Sequence, residues 1–294
     1  MDLLQLRYFQ AVARREHISQ AAEELRVAQP SVSRTIARLE KELGVPLFDR
    51  QGRQVRLNSF GTAFLRRVDR ALGELDEARR ELADAAGLEH GRVVVAAETL
   101  LTVTPLVARL RAEYPGVDVR LFQSNADTMV RQLGDREVDL CFASQPLTGP
   151  LLRSAELLRE KVLLAVPATH PFAAGDRVGV ADLAGEPFVT SRAGYWPRAL
   201  LERIFAGTGS RPVIACECDE LGTSADLISA GLGVGLVPEM SRGAPTPTQG
   251  PVVWVELDAP GCERVLSLVW RADTYLPAAA QKLRELAHVM LSRL

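Results

Sequence analysis

The chain has 294 residues, 35 of them basic and 37 acidic, for a formal net charge of -2. Apolar residues at 47% and charged residues at 24% exclude a disordered, collagen-like or fibrous chain, and the length suits about two domains, each with its own core. The balanced total argues at first against a nucleic-acid partner, but residues 1–58 hold ten basic and seven acidic side chains (+3), which leaves -5 for residues 59–294.

The first elements read as short helices. Leu3, Leu6, Phe9 and Val12–Ala13 mark one amphipathic helix. A second is expected over Ile18–Leu25, with Ser19 at its N-cap and Ala21, Ala22 and Leu25 facing inward. A third starts at Gln29-Pro30-Ser31, with Pro30 suited to the first helical position, and stops at Gly44 with Pro46 beyond. At 100° per residue, Val32, Ile36, Leu39 and Leu43 of this third helix share one face. Arg34, Arg38 and Lys41 take the opposite face, with Ser31 nearby. Two short helices, a tight turn and a cationic third helix describe a helix-turn-helix. A lone charged face is commonly just solvated. Here Arg50, Arg53 and Arg56 follow in a short β-like segment, Phe48–Leu57, with a turn at Gly52, which has the form of a wing.

These residues resemble the N-terminal signature of LysR-type transcriptional regulators: Leu6-Arg7-Tyr8-Phe9, Ser19-Gln20-Ala21-Ala22, Ala28-Gln29-Pro30-Ser31-Val32-Ser33-Arg34, Arg38-Leu39-Glu40, Leu43-Gly44-Val45-Pro46-Leu47-Phe48 and Gly61. The match is nearly continuous over residues 3–65, and length and downstream pattern extend it more loosely to the whole chain. The resemblance implies that Gln29, Ser31, Ser33 and Arg34 meet base edges or phosphates in the major groove of double-stranded DNA. It places Arg38 on the backbone, and Arg50 and Arg53 on phosphate or the minor groove.

Residues 59–86 lack proline, and Phe64, Val68, Ala71, Leu75, Ala78, Leu82 and Ala85 are spaced alternately four and three apart. A helix packed on its own domain is one reading. Intermolecular pairing is favoured, because twin half-sites need a two-fold dimer, with Phe64, Val68, Ala71, Leu75 and Leu82 as the dimerisation seam. The segment also resembles the family's linker helix, ending at Gly87.

Beyond Gly91 strands and helices alternate. Strands are expected at Val93–Ala97, Val117–Phe122, Val138–Phe142, Val162–Val166, Phe188–Thr190, Val213–Glu217, Gly233–Val237, Val252–Val255 and Val265–Trp270. Helices are expected at Thr104–Glu113, Asp127–Leu133, about Pro197–Phe205, Leu221–Ala230 and from Pro277. Such alternation implies α/β units with mainly parallel sheets in two lobes. The fold class is therefore α + α/β. A winged helix-turn-helix domain spans 1–58 (helix-turn-helix about 18–37), a linker helix 59–88 and an effector domain 89–294. The family resemblance gives that last part the type 2 periplasmic-binding-protein fold, with one lobe at about 91–161 and 268–294 and the other at about 162–267. Chain crossings are placed near 161–166 and 264–269.

Ligands of open α/β sheets sit beyond the carboxyl ends of strands. The corresponding loops offer Glu98 and Thr99, then Ser124, Asn125 and Ala126, then Ser191, Arg192, Ala193, Gly194 and Tyr195. Matching positions in the family line the cleft, so Thr99, Ser124, Asn125, Ser191, Arg192 and Tyr195 are the candidate effector residues. Arg192 either clamps a carboxylate or pairs with Glu98.

Other chemistries are poorly served. Cys141, Cys216, Cys218 and Cys262 make no disulfide framework or zinc set, and Cys216 and Cys218 are expected as buried thiols. There is no Gly-x-Ser-x-Gly elbow, P-loop or His-Glu-x-x-His motif. The glycines of Gly231-Leu232-Gly233-Val234-Gly235 follow a helix and enter a strand, the reverse of a pyrophosphate loop. With no apolar signal core and no run near the ~18–20 residues of a membrane span, a cytoplasmic protein without membrane partner is expected. The expected function is a ligand-responsive, tetramer-forming regulator with no enzymatic activity and no cofactor besides a small-molecule effector. The alternative is a small-molecule-binding protein whose DNA head is non-essential.

Overall fold

The computed structural model describes residues 1–51, 54–85, 91–243 and 250–291. They form two compact units, Met1–Ala83 and Asp84–Leu294.

In the first unit, α1 (Leu3–Arg15) opens on a reciprocal cap: the Asp2 carboxylate accepts from Gln5 N–H, and the Gln5 amide accepts from Asp2 N–H. It ends at Glu16 in the left-handed region, φ 49°. The N-cap of α2 (Ile18–Leu25) is His17 rather than Ser19, because the His17 ring accepts from Gln20 N–H at 3.5 Å. In α3 (Gln29–Leu43) Gln29 precedes Pro30 inside the first turn, and Gly44 at φ 73° ends the helix. Strands β1 (Phe48–Gln51) and β2 (Gln54–Leu57) pair antiparallel, Phe48 with Leu57 and Arg50 with Val55. The turn at Gly52 lies outside the described residues, as does Gly87. Helix α4 runs Ser59–Ala85.

One core ties these elements together. Phe9 and Val12 of α1, Ala21 and Ala22 of α2, Val32, Ile36 and Leu39 of α3, and Val55 of the wing are all buried in it. Ala21 and Ala22 are the buried residues of α2, at 0% and 3% exposed. Val68 and Leu72 of α4 join the same core, and Phe9 meets Phe64 at 5.1 Å between ring centroids. Leu3, expected inside, is exposed at the helix edge. Gly61 is required: a Cβ there would collide with the Leu47 carbonyl.

The second unit begins with the parallel strands β3 (Arg92–Ala97), β4 (Asp118–Gln123) and β5 (Leu140–Ala143). Both faces of β3 are covered. Val93 and Val95 face α5 (Leu100–Glu113) and α9 (Ala278–Leu291), while Val94 and Ala96 face α6 (Ala126–Gly134). The sixteen-residue β6 (Leu152–Pro167) pairs up to Lys161 with β12 (Glu263–Arg271). From Val162 it pairs with β10 (Gly235–Pro238) and β11 (Val252–Asp258) in the second lobe. Strand β7 (Arg177–Gly179) adds to β11, and β8 (Pro187–Thr190) pairs parallel with β9 (Val213–Glu217). Helices α7 (Trp196–Phe205) and α8 (Leu221–Ser229) complete that lobe.

Three expectations are corrected. The sheets are mixed rather than mainly parallel, because β12 runs antiparallel to β5 and β6, and β10 and β11 antiparallel to β6. Strand β6 begins ten residues before Val162; its charged first half, Arg153 to Lys161, faces water on one side and hides the apolar signal. The second crossing falls between β11 and β12, just ahead of 264–269. The Gly231–Gly235 segment does lead from α8 into β10, and a Cβ on Gly233 would strike the Pro187 carbonyl. Among the described residues no helix is long and apolar enough to cross a membrane.

Candidate functional site

The first unit carries a cationic face on α3. Burial of Val32, Ile36 and Leu39 turns Arg34, Arg38 and Lys41 outward, and all three are exposed. Among the described residues Arg38 and Lys41 have no ion-pair partner, and Arg34 donates only to the Pro30 carbonyl, at 3.2 Å. Gln29 is exposed and Ser31 and Ser33 half-buried. The N-cap residue Ala28 offers no side-chain acceptor, so the first-turn N–H groups lack a side-chain cap and suit an anion. Glu40, on the inner flank, accepts from Leu47 and Phe48 N–H at 2.7 and 3.3 Å and pins α3 to β1. The sequence reading missed that link. The side chain of Arg50 and the whole of Arg53 lie outside the described residues.

The dimerisation seam on α4 divides. Val68 is 2% exposed and belongs, with half-buried Phe64, to the unit's own core, so these two are not free for a partner. Ala71, Leu75 and Leu82 stand exposed, the last two at 42% and 73%.

In the second unit a cleft opens where the carboxyl ends of β3, β8, β9 and β10 meet. Thr99, Ser191 and Tyr195 line it, as expected. Ser124, Asn125 and Arg192 do not. Ser124 is buried beside β3, its N–H donating to the Ala97 carbonyl. The Asn125 amide oxygen caps α6 by accepting from Thr128 N–H at 2.9 Å. Arg192 pairs with Asp219 rather than with Glu98: its Nε reaches Oδ2 at 2.6 Å and its N–H reaches Oδ1 at 3.0 Å.

Glu98 is 2% exposed and held by neutral donors. Ser144 N–H and the Gln145 amide each donate to it at 2.6 Å. Burial pushes its carboxyl above the usual range, against the opposing pull of these donors and of Arg264. The Gln145 amide also donates to the Gly194 carbonyl at 3.0 Å, and Gln123 donates to the Asp219 carbonyl at 2.9 Å, so both bridge the lobes.

Arg264 was missed altogether. It sits on β12 opposite Glu160 on β6 and is 2% exposed. Its guanidinium donates to Glu160 at 2.9 Å, Ser144 Oγ at 2.9 Å and Thr102 Oγ1 at 3.0 Å, and lies 5.4 Å from the Trp196 ring centre. Glu160 in turn accepts from Met240 N–H at 2.8 Å. This one side chain therefore touches elements of both lobes at their junction. The strand period held the signal, since Arg264 alternates with Leu266 and Leu268 on the buried face of β12.

The cysteine expectation needs correction. Cys216 and Cys218 are half-buried, and Cys218 lines the cleft because it lies just past the end of β9. Cys141 and Cys262 are the buried pair, and burial raises the Cys262 thiol to about 11. Among the described residues no group of three or more His, Cys, Asp or Glu side chains is placed to hold a metal ion.

Comparison with known proteins agrees with both halves of this geometry. Residues 3–62 match the family model of the bacterial regulatory helix-turn-helix protein, lysR family, and residues 86–291 match the LysR substrate binding domain. An uncharacterised helix-turn-helix transcriptional regulator of Bacillus subtilis, YybE, is 33% identical with 97% of each chain covered. The transcriptional dual regulator GltC of the same organism is 31% identical over 100% of this chain and 99% of its own. Among solved structures, a full-length OxyR variant from Pseudomonas aeruginosa superposes with a TM-score of 0.73 at 24% identity, covering 98% of both chains. A winged helix-turn-helix head with a bare cationic helix, followed by a two-lobed α/β domain with a cleft, is thus matched along nearly its whole length, and the chain belongs to the LysR family of DNA-binding transcriptional regulators.

Proposed function

We propose that the chain binds an inverted-repeat operator as a two-fold dimer, with Gln29, Ser31, Ser33 and Arg34 reading the major groove. In this reading Arg38 neutralises backbone phosphate, and the wing arginines Arg50 and Arg53 meet phosphate or the minor groove. A small-molecule effector between the lobes tunes DNA binding or bending, and no further cofactor is called for. The exposed part of α4, with Ala71, Leu75 and Leu82, supplies self-association, and dimers join into a homotetramer in the cytoplasm.

The observation that supports this most directly is the state of α3. Its inner face is buried in the head's core, while Arg38 and Lys41 stand exposed with no ion pair among the described residues. Two exposed cations on a helix that also has no side-chain N-cap match the needs of an anionic polymer.

The test is operator affinity, measured by fluorescence anisotropy on the sequence recovered by in vitro selection. Arg34→Ala should weaken specific binding by about 1–3 kcal/mol, roughly 5- to 150-fold, if the residue reads a base. Unchanged affinity would remove Arg34 from the reading surface.

A further inference from the structure

The residues around the cleft carry charge of one sign. They include two carboxylates, Glu98 and Asp219, and no lysine, arginine or histidine among the described residues. Asp219 is answered from outside the lining by Arg192, whose side chain is 68% exposed. Among the described residues the Glu98 carboxylate has neutral donors in contact, Ser144 N–H and the Gln145 amide. Arg264, the nearby cation, is committed to Glu160, Ser144 and Thr102. A ligand carboxylate entering here would meet like charge at low dielectric, with no uncommitted cation in the described lining to receive it.

A second observation concerns polar atoms that lack partners. Among the described residues Ser191 Oγ and the Trp196 indole N–H are buried without a hydrogen-bond partner, on residues only 5% and 4% exposed, and both residues line the cleft. Buried polar groups are nearly always paired, so these two mark where a ligand's polar atoms complete the site. The rest of the wall includes Val189, Ile228, Leu236 and Val237, which suit a compact apolar body.

We propose that the effector of this chain is a small amphiphilic cation. A primary ammonium binds Glu98 in place of the Gln145 amide, a branched apolar body rests on Val189, Ile228 and Leu236, and a hydroxyl or ether oxygen accepts from the Trp196 indole and meets Ser191. Displacing the Gln145 amide from Glu98 also disturbs its bridge to Gly194, which links ligand entry to lobe closure. The proposal rests on the cleft being the effector site.

A matched pair of probes tests it on the full chain: valinol, with an ammonium, a hydroxyl and an isopropyl group, and α-hydroxyisovalerate, with the same body and a carboxylate. Valinol should raise the thermal midpoint, and the acid should not. Glu98→Gln should weaken valinol binding about tenfold or more, as expected for loss of a charge-assisted hydrogen bond. Ser191→Ala should weaken it by a smaller factor and serves if the first variant does not fold. Thr99→Trp or Ser224→Trp, each filling the cleft, should abolish the shift. A shift produced by the acid and lost in the filled variants would overturn the cationic assignment while leaving the cleft reading intact. No shift with valinol at tens of millimolar would overturn the assignment as well. A shift that persists in both filled variants would place binding elsewhere and overturn the cleft reading itself.

Discussion

Arg38 in the head and Arg264 in the effector unit carry the same guanidinium in opposite surroundings. Arg38 stands in solvent on α3 with no ion-pair partner among the described residues, while Arg264 is 2% exposed and hydrogen-bonded to Glu160, Ser144 and Thr102. An exposed, uncommitted cation is available to an outside anion and contributes little to folding. A buried cation must be answered internally, and its removal strands whatever answered it. The head thus presents its charge for binding, and the effector unit uses charge to hold the junction of its lobes.

The sharpest way to break this contrast is Arg264→Met. It leaves Glu160, whose side chain is 7% exposed, without its cation, and unfolding in denaturant should lose about 3–5 kcal/mol. The double change Arg264→Met with Glu160→Leu should recover much of that loss, because no charge is then stranded. A single-variant loss under about 1 kcal/mol would mean the pair does not secure the junction.

Arg38→Ala should behave in the opposite manner. Folding stability stays at the wild-type level, DNA binding weakens by a similar factor on every sequence, and the salt slope of affinity falls by about one. Anisotropy titrations across a salt series read all of this, and a sequence-selective loss would give Arg38 a base instead of a phosphate.

Glu98 provides a pH test of the second unit. Its folded carboxyl lies above the ordinary glutamate value of 4.5, because burial disfavours its charge. The stability it contributes is therefore present below that ordinary value and is lost as pH rises through the folded one. Thermal midpoints of wild type should fall relative to Glu98→Gln as pH climbs from 4.5 upward. A constant difference across that range would show that the acid titrates normally.

The smallest effect is expected at Arg192→Ala. Its side chain is largely in water, and Asp219 keeps the Arg192 backbone N–H at 3.0 Å. The thermal midpoint should stay within error of wild type. A large drop would make this exposed pair part of the lobe junction alongside Arg264.

Much of the head was legible from residues alone, because its elements obey one period and its charges lie outside. The 3.6-residue spacing of Val32, Ile36 and Leu39 assigns Arg34 and Arg38 to the far side of α3, and the folded head confirms it. Local signals also placed Gly44 at the end of α3 and the β-like arms after Phe48. The cleft was legible only in part. Thr99, Ser191 and Tyr195 follow strand ends and line it, but Asn125 is taken by the cap of α6 and Arg192 by Asp219. For Arg192 the deciding partner, Asp219, lies more than twenty positions away, whereas Asn125 is settled locally by Thr128 in the first turn of α6.

Sequence by itself therefore determined the family, the class of each domain and the sidedness of the recognition helix, since these follow from short-range periodicity and dense local motifs. Tertiary structure decided the rest: that Phe64 and Val68 of the α4 seam already pack into the head's own core, that β6 carries both lobes, and that Arg264 joins Glu160 at their junction. The physical reason is common to all three. Each depends on pairing between segments distant in the chain, where burial sets both the strength of a charge and whether an apolar face remains free, and neither quantity is local.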